Sequence, residues 1–154
     1  MTPFRECIEQ SPRHDQVIRD CAVLIDSFLS NAGGVRGFAL RSAVQTAQRK
    51  RPDLLERASR RVLPECLDAL DPIYQIWDAE AHQDFAVHLV DIHGDHAQEA
   101  ILTVIDRRAQ ASNHRVVQSV YRRMRDSAHR DVARVLPDFG RLLADELALQ
   151  VQRA

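Results

Sequence analysis

Apolar residues recur along this chain at spacings of three and four, the interval that gathers them on one face of an α-helix. Val17, Cys21, Leu24, Ile25 and Phe28 make the first such face. Ser11 and Pro12 open it as N-cap and first helical residue, and it closes near Asn31, where Gly33 or Gly34 suits a left-handed cap. The pattern predicts a second helix over Val35 to Lys50, with Phe38, Ala39, Ser42, Ala43 and Ala47 as a narrow face of small side chains. Pro52 ends it and starts a third, carrying Leu54, Leu55, Ala58, Val62, Leu63, Cys66 and Leu67, in which Pro64 predicts a break near Leu63. Asp71 and Pro72 form another cap pair before Ile73, Ile76 and Trp77; a short helix follows over Ala81 to Val90. Gly94 and Asp95 then open one with Ala97, Ala100, Ile101, Val104 and Ile105. Ser112 and Asn113 cap a long helix with Val117, Tyr121, Met124, Ala128, Val132 and Val135, ending at Leu136 and Pro137. The last helix, Asp138 to Val151, offers Phe139, Leu142, Leu143, Leu147 and Val151. No stretch alternates with the period of a strand between turn signals. The expected fold is all-α, a single-domain bundle of six or seven helices over 1–154, with 1–11 a loosely ordered N-terminal segment.

At 154 residues such a bundle can bury a sizeable core without disulfides or structural metals. The three cysteines, Cys7, Cys21 and Cys66, are odd in number and widely spaced, which suits a reducing compartment. The longest apolar run, Cys21 to Ile25, is too short to span a bilayer, and no apolar segment follows the charged N-terminus as in a secretory signal. The expectation is a cytoplasmic protein with no membrane partner.

Charge is segregated, although the formal net charge is only -1. From Arg36 to Arg61 eight basic residues face only Asp53 and Glu56; Val62 to Asp106 holds ten carboxylates and no Lys or Arg; Arg107 to Arg134 holds eight arginines against Asp126 and Asp131. Two basic blocks flanking an acidic one are expected to neutralise each other across the folded bundle. The basic residues are 20 Arg and one Lys, as phosphate recognition or GC-rich coding would each produce.

Gly33-Gly34-Val35-Arg36-Gly37 opens a basic helix with proline after it, and Val62-Leu63-Pro64, Asp68-Ala69-Leu70-Asp71-Pro72, Asp106-Arg107-Arg108-Ala109, Tyr121-Arg122-Arg123-Met124-Arg125 and Val135-Leu136-Pro137 follow. With these signatures the chain, over roughly Asn31 to Leu147, resembles a family of small all-helical actinobacterial proteins, a domain of unknown function. It departs from that pattern in carrying Arg where lysines and an aromatic are common in the basic helix, and in having more histidines in the middle. The resemblance implies a helical fold and supplies no catalytic residues.

Four of the seven histidines fall between His82 and His96, interleaved with carboxylates. Imidazole and carboxylate suit a divalent transition metal, and Asp84, His88 and Asp91 share one helical face, with His93 and His96 close by. These five are the candidate metal ligands, with His88 first and a general acid or base role secondary. Phe85, Leu89 and Ile92 claim the neighbouring buried face, so a solvated acidic connection is the simpler reading. Gly34, Arg36 and Arg41 are candidates for an anion at a helix N-terminus, although neither a P-loop nor a dinucleotide fingerprint is present. Tyr74, Trp77 and Tyr121 are candidates for a pocket between helices. No Ser or Cys sits in a recognisable nucleophile setting. The leading functional expectation is a non-catalytic helical module that binds a partner protein or a small ligand. A metal-binding protein or small metal-dependent enzyme using 78–99 is the alternative. Nucleic-acid binding through 36–61 and 107–134 comes third, because aromatic residues for base stacking are few. Oligomeric state, biological process, and whether the chain is an enzyme stay open.

Overall fold

The computed structural model of the chain describes residues 1–80 and 83–153, which are mostly helical and contain no strand. Among these residues lie seven α-helices: α1 (Phe4–Glu9), α2 (His14–Ser30), α3 (Gly34–Lys50), α4 (Leu54–Glu80), α5 (Gly94–Ala111), α6 (Arg115–Met124) and α7 (Ala128–Arg153). A π-helical turn, Val87–Ile92, leads into α5, and a 3-10 turn, Arg125–Ser127, joins α6 to α7. One apolar core runs through α1, α2, α4, the π-turn, α5 and α7, with Ile18, Leu67, Leu70, Leu89 and Leu143 among its most buried members. A smaller cluster of Leu29, Leu40 and Val44, backed by Ile25, Phe28 and Leu55, holds α3 to α2 and to the start of α4. None of the described helices is long and apolar enough to cross a membrane.

The first eleven residues depart from the expected loose segment. Phe4 and Ile8, one helical turn apart, are fully buried. The Phe4 ring stacks on Tyr74 with centroids 4.5 Å apart, and its N–H donates to Asp71 Oδ1 at 2.8 Å. The Cys7 thiol donates to Gln150 Oε1 at 2.9 Å while Gln150 Nε2 donates to the Cys7 carbonyl at 3.1 Å, fastening α1 to α7.

Several expected helix boundaries also move. Ser11 does not cap α2, which begins at His14; its hydroxyl accepts from the Arg13 N–H at 3.1 Å and donates to the buried Glu146 carboxylate. α4 runs unbroken through Pro64 and Pro72, so the expected break at Leu63 is absent and Asp71 lies inside a helix rather than at its cap. Pro64 supplies no N–H for the Arg60 carbonyl, and one residue further on Arg108 Nη2 donates to the Arg61 carbonyl at 3.2 Å. Pro137 is likewise internal to α7, and the break comes earlier, at Arg125–Ser127. The segment expected as a helix from Ala81 begins its helical course at Phe85 and winds as a π-turn; Ala81 itself lies outside the described residues.

Candidate functional site

The π-turn carries His88, and its wide winding is closed by the His93 N–H donating to the His88 carbonyl at 3.1 Å. His88 is only 3% exposed. Its Nε2 lies 3.0 Å from the Ile73 carbonyl oxygen and so carries the proton that it donates; its Nδ1 then accepts from Gln83 Nε2 at 3.3 Å. Both ring nitrogens are thereby engaged. Asp84 is equally committed: Arg141 Nη2 donates to both carboxylate oxygens at 2.7 Å, and the Ala86 N–H donates to Oδ1 at 2.8 Å. The Arg141 guanidinium holds the Asp84 carboxyl below the usual carboxylate range. The His93 ring lies 4.5 Å from that of His88, and its own burial, then His88 and His96, push its pKa below the ordinary imidazole value.

Asp91 and His96 are exposed, and His82 lies outside the described residues. Among the described residues no three His, Cys, Asp or Glu side chains gather as a metal would require. Of the candidate set Asp84, His88, Asp91, His93 and His96 the fold brings His88 and His93 together, while α4 and α7 supply the partners of His88 and Asp84.

The candidate aromatic pocket is filled rather than open. Phe85 and Tyr74 each contact the rings of Phe4 and Trp77 and each other, and Trp77 Nε1 donates to the Gln83 carbonyl at 2.8 Å. Tyr121 is elsewhere, donating to Asp106 and lining a separate depression of about 260 Å³ with Gln118 and Arg122. The candidate anion site changes role as well. Gly34 takes the left-handed φ of +73° that its sequence position suggested. Arg41, however, donates to the carbonyls of Ser30 at 3.4 Å and Ala32, closing the C-terminal end of α2, where a cation complements the helix dipole. The Arg36 side chain lies outside the described residues.

A cavity of about 500 Å³ opens where the end of α2, the start of α3, the 3-10 turn and the start of α7 meet. Leu24 and Phe28 give it an apolar wall, and Ser27 and Asn31 add neutral polar groups. Asp126, Arg130, Asp131, Arg134 and Asp138 charge the opposite wall. Asp131 is 4% exposed and accepts from the Ser127 hydroxyl at 2.7 Å. Periodicity did not reveal this site. Its one signal is the four-residue rhythm Asp126, Arg130, Arg134, Asp138, which repeats one helical face and runs out of the second basic block.

Among the described residues the ion pairs that join the charge blocks include Arg108 with Glu65 at 2.6 Å, while Arg60 pairs with Asp15 at 3.2 Å, outside the acidic block. The remaining ion pairs among the described residues draw on Arg5, Arg13 and Arg141, which belong to neither block.

These observations define a class, a small all-helical protein with a charged cavity between its helices. Residues 4–147 match DUF6918, a family of unknown function, and the chain belongs to that family. No curated protein and no solved structure matches it.

Proposed function

We propose that this chain is a non-catalytic helical module whose ligand is a small molecule carrying both charge signs, bound in the cavity between α2, α3 and α7. The lining of that cavity carries the reading. Its size, about 500 Å³, falls within the range of roughly 300–1,000 Å³ common to small-molecule sites. Arg130 and Arg134 offer guanidinium forks to a carboxylate or phosphate, Asp126 and Asp138 accept from an ammonium, and Leu24 and Phe28 pack an aliphatic body. Free amino acids and phosphorylated amines have this chemistry. The engagement of His88 and Asp84 favours this reading over a metal-dependent one. A reducing cytoplasm of an actinobacterial cell is the proposed setting, supported by three free thiols and the excess of Arg over Lys that GC-rich coding produces.

Saturation-transfer NMR against a panel of amino acids and phosphorylated amines tests the reading. At least one member is expected to bind, and the Arg130→Ala, Arg134→Ala double variant is expected to lose it while keeping the wild-type melting temperature. A bound ligand at about a hundred times its Kd adds about 2.7 kcal/mol to stability and raises Tm measurably. If no member binds, or if binding survives in the double variant, the cavity is not the site.

A further inference from the structure

The two arginine blocks are separated along the chain by the acidic block, yet they meet in space. α3 packs along α6, and Arg108 at the end of α5 reaches Glu65 and the Arg61 carbonyl near the start of α4. α4 and α5 thus run antiparallel, with cations at one end and Asp78, Glu80, Asp91 and Asp95 at the other. From Arg61 to Glu80 a helix rises roughly 30 Å, several times the Debye length of about 8 Å at physiological salt. Within one molecule the two ends therefore cannot neutralise each other. Arg49, Arg57 and Arg122 at the basic end are exposed and make no ion pair among the described residues.

Each end also exposes apolar side chains. Val35 (87% exposed) and Phe38 (66%) share the outer face of α3 with Arg49, at the three- and four-residue spacing of one helical stripe. Ile92 (55%), with Val87 and Ile76, lies at the acidic end. Charged residues around an exposed apolar centre are the composition of an association surface.

We propose that these two ends are the halves of one interface, so that the basic end of one molecule docks on the acidic end of a second copy. The chain itself carries both complementary surfaces, with Arg49, Arg57 and Arg122 exposed toward one end and Asp78, Glu80, Asp91 and Asp95 exposed toward the other, which fits self-pairing better than binding to a polyanion. Such a head-to-tail contact is heterologous, so it closes into a ring or grows as an open chain.

Sedimentation velocity on nuclease-treated protein tests this, using two neutralised variants. One carries Arg49→Gln, Arg57→Gln and Phe38→Ser; the other carries Asp91→Asn, Asp95→Asn and Ile92→Ser. Wild type is expected to gain mass with concentration at low salt, and its association to weaken at least about tenfold when salt reduces the Debye length to about 3 Å. Each variant alone should stay monomeric, with a wild-type melting temperature showing that it is folded. Mixed in equal amounts, they should form a capped one-to-one dimer, because one intact interface remains between them. The proposal is overturned by a wild type that stays monomeric at low salt, by association that appears only when duplex DNA is added, or by variants that still self-associate.

Discussion

At the scale of single residues, packing at two glycines has opposite tolerances. A Cβ at Gly37 would overlap the backbone carbonyl of Ala32, which cannot swing aside, because the end of α2 and the start of α3 touch there. At Gly140 the obstacle, at 2.9 Å, is the Val90 Cγ2 methyl, the movable end of a side chain. Gly37→Ala is therefore expected to cost about 1–3 kcal/mol and Gly140→Ala less, measured as urea midpoints at constant m. His93 supplies the pH dependence. Its burial and its histidine neighbours depress its folded-state pKa from 6.5, so the unfolded chain takes up a proton that the folded chain resists. The stability linked to neutral His93 is full above 6.5 and declines as pH falls below it. Unfolding midpoints between about pH 7 and 5 should show that slope, and His93→Gln should flatten it. An unchanged slope would assign the acid response to other groups. The two deeply buried thiols are inert at neutral pH, since burial pushes Cys21 and Cys66 up to about 12.

At the scale of elements, α1 shows how a short helix is stabilised by its setting. Six residues are too few for an isolated helix in water, so α1 exists because Phe4 and Ile8 enter the core and Asp71 accepts the Phe4 N–H. Phe4→Ala is expected to lose about 3–5 kcal/mol, and removing residues 1–11 should lower the melting temperature further because Ser11, which donates to the buried Glu146, is lost as well. A loose lead-in would make both changes nearly silent in a thermal melt. The internal prolines of α4 make the same point. By local rules Pro64 and Pro72 end helices, at about 3 kcal/mol each relative to alanine, but the core positions Leu63, Leu67, Leu70 and Ile73 all face one way only if the helix continues. Burying those side chains outweighs the local penalty.

At the scale of the whole molecule, the separation of charge is the main consequence of the topology. Antiparallel α4 and α5 put Asp78, Glu80, Asp91 and Asp95 at one tip, while Glu65 stays with Arg108 toward the other, where α3 packs against α6. A compact mixing of the blocks would have neutralised them within the fold. On the proposed head-to-tail contact this arrangement turns them toward a second copy, and the sedimentation experiment above reads that difference directly. The cavity is a whole-molecule feature too, since its walls come from α2 and α7, which lie more than ninety residues apart in sequence and are joined at their other ends by Arg13 and Glu146 at 3.2 Å.

The spacing of apolar residues determined the all-helical class, most of the buried faces, the end of α3 at Lys50 and the start of α5 at Gly94, because helical period and turn residues act within a few positions of the chain. Only the tertiary structure decided which polar groups were free. His88 and Asp84 share a face that invites a metal, but Ile73 and Gln83 take the one and Arg141, 57 residues away, takes the other. It also decided that Asp71 would hold α1 rather than cap a helix, and that Arg130 and Arg134 would line a cavity. Such pairings depend on which distant helix packs alongside, and no local period encodes that.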